Sequence, residues 1–265
     1  MTEQDILQRA VATQQRLTTA QRPACEYGGS PRIAAGAALA QYFDHTLLKP
    51  EATADQYRTL CGQAREYGTR SVCVPPDRVG LCRELLEGSD VEVCTVIGFP
   101  LGYHSTSAKV TEVEIAASAG AREFDMVIPI GRLRDGDVHA IYDDVRAVVA
   151  AAGTQIVKVI LETALLTDEQ KVDAAAAAVH AGAAILKTST GFSTAGATVA
   201  DLQMFRLIAG ETRGVKAAGG IRDLSFARAC IEAGADRIGA SSTGAILDEA
   251  AGRSGPSKST GGDSY

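Results

Sequence analysis

Seven short apolar runs, each entered through a glycine and spaced by helix-like sequence, predict a closed (β/α)8 barrel of the TIM type, built as a single domain with an N-terminal helical extension. The glycines fall at positions 68, 88, 120, 153, 182, 214 and 234, with successive gaps of 20, 32, 33, 29, 32 and 20 residues. Those gaps are about the length of one strand, loop and helix unit. The runs are almost continuously apolar rather than alternating, which suits parallel strands covered on both faces.

In chain order, EQDILQRAVATQQRL reads as one amphipathic helix, and PACEYGGSPRIAAGAA as a linker, so residues 1–40 are expected to form an extension. The first strand candidate lies near QYFDHTLL (41–48). The next seven are carried by YGTRSVCV, EGSDVEVCTVIGF, AGAREFDMVIPI, AGTQIVKVILE, AGAAILKTS, RGVKAAGGI and AGADRIGASS. Helix-like segments such as ATADQYRTLCGQAREYG, STSAKVTEVEIAASAG, TDEQKVDAAAAAVHAG and DLSFARACIEAG precede several of them. These open with N-cap residues and close with a glycine that can turn the chain into the next strand. The barrel should span residues 41–250, and the Gly/Ser-rich 251–265 should be a flexible tail. An open doubly wound sheet is the alternative, but no GxGxxG follows the first strand and no GxxxxGK[ST] occurs.

Composition narrows the function. A net charge of −6 argues against nucleic acid or an anionic membrane as partner. No apolar run is long enough to span a bilayer, and the polar N-terminus lacks a signal-peptide core. The six cysteines (25, 61, 73, 82, 94 and 230) form no CxxC pair, and a reduced, cytoplasmic setting is expected. Histidines 45, 104, 139 and 180 form no HxH or HExxH pair, so neither a metal site nor a cofactor is expected.

The informative residues are charges inside the strands. Asp125, Lys158, Lys187 and Lys216 each sit near the middle of one of four consecutive strand candidates. Glu162 follows Lys158 by four residues and would share its face if the strand continues that far. A single charge of this kind is explained by a strand end in solvent. Four on adjacent strands, each flanked by Val, Ile, Leu or Ala, point to a buried constellation at the barrel mouth. Two lysines on neighbouring strands suggest iminium chemistry. A lysine attacks carbonyls only when neutral, and moving an amine from its usual pKa of about 10.4 to near 7 needs roughly 4–5 kcal/mol. Burial and a second ammonium both act in that direction. Asp125 is placed to move protons. The loops KTSTGFST, AAGGIR and GASST, with Gly219, Gly220, Ser241 and Ser242, offer backbone N–H groups and hydroxyls to a phosphate.

The motifs DHTLLKP, CTVIGFPLG, FDMVIPIG, KVILET, LKTSTGF, VKAAGGIR and GASS, in that order over residues 41–245, closely resemble the deoxyribose-phosphate aldolase (DeoC) family. The resemblance implies a class I aldolase of deoxyribonucleotide and carbohydrate catabolism, reversibly cleaving 2-deoxy-D-ribose 5-phosphate to acetaldehyde and D-glyceraldehyde 3-phosphate. By motif position it assigns Lys187 as the Schiff-base lysine, Lys216 as the second lysine and Asp125 as the acid/base. It also places Asp44 near the active-site network and Gly191, Gly219, Gly220, Ser241 and Ser242 around the substrate phosphate. Lys158 and Glu162 become supporting groups of the charged layer. Some members carry a mobile tail whose terminal tyrosine assists proton transfer, and Tyr265 is the matching candidate here. Pro129 stands where the family usually has Asn, and Phe192 where some members have a lysine near the phosphate. The partners expected are sugar phosphates and aldehydes, with a homodimer as the assembly. Another lysine-dependent barrel aldolase or transaldolase, and a non-catalytic sugar-phosphate-binding barrel, are the competing readings.

Overall fold

The computed structural model describes residues 1–17 and 38–253. Helix α1 (Glu3–Arg16) is followed by eight strands. They are β1 (Phe43–Thr46), β2 (Ser71–Val74), β3 (Glu92–Ile97), β4 (Glu123–Val127), β5 (Ile156–Ile160), β6 (Ile185–Lys187), β7 (Gly214–Ala218) and β8 (Arg237–Ala240). The intervening helices are α2 (Ala54–Tyr67), α3 (Val79–Leu85), α4 (Thr106–Ser118), α5 (Ile130–Arg134), α6 (Val138–Ala152), α7 (Asp168–Ala181), α8 (Val199–Ala209), α9 (Leu224–Glu232) and α10 (Thr243–Ala250). Every strand pairs in parallel with its sequence neighbours and β1 closes on β8, so the expected barrel forms.

Local chemistry sets the boundaries. Thr53 with Gln56 and Thr167 with Gln170 form capping boxes at the starts of α2 and α7. Gly68 and Gly182 end those helices in the left-handed conformation, at φ of 66° and 105°, which only glycine adopts without strain. The alternation along each strand then sorts the side chains. Phe124 and Met126, Val157 and Val159, Val215 and Ala217 face the helices and join the main apolar core. Their neighbours Asp125, Lys158 and Lys216 face the barrel axis. The interior is asymmetric: on the β2–β3 side Cys73, Cys94 and Val96 form a small apolar cluster with Leu48.

The N-terminal helix packs on the outside of the barrel against α7 and α8. Its Ile6 and Ala10 are buried. Asp173 on α7 accepts from Arg9 at 3.0 Å and 2.5 Å, and from the buried Thr13 hydroxyl at 2.6 Å. The linker reading of residues 23–38 and the tail reading of 251–265 fall almost wholly outside the described residues, as does Tyr265.

Candidate active site

The strand register brings the sequence-marked charges together. Asp125 lies beside Lys158 across β4–β5, Lys187 beside Lys216 across β6–β7, and Lys216 beside Arg237 across β7–β8. Asp125 is the hub. Its Oδ2 accepts from Lys187 Nζ and Lys216 Nζ, both at 2.8 Å. Its Oδ1 accepts from Lys158 Nζ at 2.8 Å and from the Cys94 thiol at 3.2 Å. Three cations around one buried carboxylate hold its pKa well below the usual range against the opposing effect of burial.

Lys216 also donates to Asp44 Oδ2 at 2.5 Å. Burial alone would favour its neutral form, but Asp125 and Asp44 outweigh burial and raise its pKa, so Lys216 is a fixed cation. Lys158 is likewise held protonated, 2.6 Å from Glu123 Oε2 and 2.8 Å from Asp125 Oδ1. Lys187 is the last residue of β6 and is 3% exposed, whereas Lys158 and Lys216 are fully buried.

Two members of this network carry no mark in the sequence reading. Arg237 spans Glu123, at 2.8 Å and 3.1 Å, and Asp44 Oδ1, at 2.6 Å. Both pairs are buried. The signal was available: Glu123 precedes Asp125 by two residues on the same strand, and the arginine of AGADRIGASS opens the last strand. Glu162 departs from expectation. β5 ends at Ile160, and Glu162 turns out of the strand with a left-handed φ of 56°. Its carboxylate accepts from the Thr190 amide at 3.2 Å and the Thr190 hydroxyl at 2.5 Å, so it braces the loop after β6 instead of facing Lys158. Burial raises its pKa.

The glycine loops lie at the same end. Gly191, Gly219 and Gly220 all have positive φ, of 88°, 85° and 77°. The loops after β6 and β7 touch closely: a Cβ on Gly196 would stand 2.1 Å from the Gly219 carbonyl oxygen, which accepts from the Ala197 amide at 3.1 Å. The buried Ser189 hydroxyl beside Gly219 has no hydrogen-bond partner among the described residues. Ser241 is exposed after β8, and Ser242 sits at the N-terminus of α10. Phe192 packs edge-to-face on Phe99, with ring centroids 5.3 Å apart, and lines the rim with an apolar surface. Pro129 immediately precedes the short α5.

His45 faces the helix layer and pairs through Nε2 with Gln63 at 2.9 Å. The ligand atoms of Cys73, Cys94 and Asp125 lie within 4.8 Å of one another. Both oxygens of Asp125 already accept from ammonium groups, so a metal ion there would have to displace them.

A parallel barrel with two lysines sharing a buried carboxylate near its C-terminal mouth belongs to the lysine-dependent lyases that make and break carbon–carbon bonds. The sequence profile of the DeoC/LacD family aldolases matches residues 38–253, and the chain belongs to that family. It is 52% identical over 212 residues to the deoxyribose-phosphate aldolase of Streptococcus suis (strain 98HAH33), covering 80% of this chain and 96% of that protein. It is 53% identical over 211 residues to that of Lysinibacillus sphaericus (strain C3-41), covering 79% and 95%. The solved deoxyribose phosphate aldolase of Aeropyrum pernix, a tetramer, superposes with a TM-score of 0.74 at 32% identity, covering 95% of this chain and 99% of that one. Among the described residues, no helix is long and apolar enough to cross a membrane.

Proposed function

We propose that this chain reversibly cleaves 2-deoxy-D-ribose 5-phosphate to acetaldehyde and D-glyceraldehyde 3-phosphate through a Schiff base on Lys187. The observation that carries the reading is the sharing of Asp125 Oδ2 by two lysines that stand side by side on β6 and β7. Lys187 adds to the C1 aldehyde, and loss of water leaves an iminium. Deprotonation of the C3 hydroxyl then breaks the C2–C3 bond, and the electron pair enters the iminium to form an enamine. Glyceraldehyde 3-phosphate departs, the enamine is protonated at C2, and hydrolysis releases acetaldehyde and the free amine. Asp125 touches the reacting amine and is the proton-handling group. Lys216 stays charged and opposes protonation of Lys187, while Asp44 orients Lys216 by accepting from its ammonium. Lys158 secures the other oxygen of Asp125, and Glu162 holds the Thr190 loop.

The phosphate is assigned to the glycine loops, with Gly191, Gly219 and Gly220 presenting backbone N–H groups and Ser241 and Ser242 their hydroxyls. The barrel residues 41–250 carry the activity, with 1–40 as an extension and 251–265 as a tail that delivers Tyr265 as proton relay. A cytoplasmic homo-oligomer is the proposed form, with a homodimer as its simplest case; light scattering discriminates a dimer from a tetramer like that of the Aeropyrum pernix relative. Borohydride reduction in the presence of acetaldehyde should alkylate one lysine, and peptide mapping should find Lys187. Alkylation at any other residue overturns the assignment.

A further inference from the structure

Around the reacting amine lies a buried tier of charge. Facing it from the strands are Asp44 on β1, the thiols of Cys73 and Cys94 on β2 and β3, Glu123 and Asp125 on β4, Lys158 on β5, Lys216 on β7 and Arg237 on β8, with Glu162 beyond the end of β5. Lys158, Lys216 and Arg237 are three cations; Asp44, Glu123 and Asp125 are three carboxylates. All six are buried and joined by contacts of 2.5–3.1 Å. The tier is therefore neutral without Lys187, and a proton on Lys187 makes the assembly positive. Arg237 and Glu123 contribute one charge each, and neither contacts Lys187 in the hydrogen bonds and ion pairs of the site.

We infer that Arg237 and Glu123 are positioning residues that set the protonation balance of Lys187 from a distance, Arg237 through Asp44 and Glu123 through Lys158. The inference rests on Lys187 being the Schiff-base lysine. Arg237 engages one oxygen of Asp44 while Lys216 engages the other, so Asp44 cannot neutralise Lys216 completely. Glu123 likewise engages Lys158, which otherwise draws charge from Asp125. The two residues act with opposite sign. Removing Arg237 leaves the tier negative and favours the ammonium form of Lys187. Removing the Glu123 charge leaves it positive and favours the free amine.

The test is the pH dependence of kcat/KM for 2-deoxyribose 5-phosphate cleavage in full-length Glu123→Gln, Arg237→Met, Arg237→Lys and the double variant Glu123→Gln/Arg237→Met. A unit charge about 10 Å away, at an effective dielectric constant near 20, moves an ionisation by roughly one pH unit. The ascending limb should therefore move about one unit acid in Glu123→Gln and about one unit alkaline in Arg237→Met. It should return towards wild type in Arg237→Lys and in the double variant. Glu123→Gln is nearly isosteric and carries the test if Arg237→Met does not fold. A limb that stays in place in folded Glu123→Gln, or that moves the same way in both single variants, overturns the inference. Borohydride trapping on the wild type separates the two readings. If Lys187 is alkylated but the limbs do not move, only this inference fails; if Lys187 is not alkylated, the Schiff-base reading fails first.

Discussion

Replacing Lys216 with leucine removes the ammonium that shares Asp125 Oδ2 with Lys187. Each amine lies 2.8 Å from that oxygen, so the two nitrogens are separated by at most twice that distance, about 5.6 Å. At an effective dielectric constant near 20, two unit charges at that separation repel by about 3 kcal/mol. That corresponds to roughly two pH units. Leucine also leaves the charge of Asp44 and Asp125 less compensated, and this acts in the same direction by favouring a protonated Lys187. The expected result is an ascending limb of kcat/KM displaced about two units to alkaline pH, with low activity at pH 7 recovering as pH rises. The matching assay is acetaldehyde release from 2-deoxyribose 5-phosphate between pH 5 and pH 10, paired with the rate of borohydride trapping at each pH. Arg237 retains its hold on Asp44, and Lys158 and Lys187 theirs on Asp125, so a folded variant is expected. A thermal melt checks that. A folded, active variant whose profile is unchanged would refute the reasoning.

Gly196→Ala places a Cβ 2.1 Å from the Gly219 carbonyl and must part the loops after β6 and β7. KM for 2-deoxyribose 5-phosphate should rise on the order of tenfold, a loss of about 1.4 kcal/mol, with a smaller change for unphosphorylated 2-deoxyribose; equal losses for both substrates would remove these loops from phosphate binding. Asp173→Asn weakens the bonds from Arg9 and Thr13 that fasten α1 to α7. A cost of about 1–2 kcal/mol is expected, lowering Tm by several degrees and exposing α1 to limited proteolysis. Stability should also depend on pH in two windows. Asp44, Glu123 and Asp125 have lowered pKa values, so their contribution is present above about pH 4 and is lost as pH falls through the folded-state values. Lys158 and Lys216 have raised values, so their contribution is present below about pH 10 and is lost as pH rises through the folded-state values. Urea unfolding at intervals from pH 3 to pH 11 should show a plateau between those limits.

The strands were legible because their period is short and their burial complete. Each glycine-led run became a parallel strand, and the helix caps at Thr53, Ser105, Thr167 and Asp223 fall where the sequence marks them. Asp125, Lys158, Lys187 and Lys216 were legible because a charge within an apolar run has few innocent explanations. The placing of Glu162 was not legible, because i, i+4 spacing implies a shared face only while the chain stays extended, and a left-handed residue ends that relation. Arg237 and Glu123 were missed because each stands at the first residue of its strand, where a charge reads as a solvated end.

The sequence by itself determined the barrel, the order of its units and the candidate nucleophile, since these follow from local periodicity and from residue types that resist burial. Only the tertiary structure decided who neutralises whom. Barrel closure brings β1 against β8 and sets Asp44 within reach of Lys216 and Arg237, which lie 172 and 193 residues away along the chain. Charge interactions depend on distance through space and on the exclusion of water. Neither quantity exists until the strands close, so the protonation balance that makes a lysine a nucleophile is a property of the barrel rather than of any segment within it.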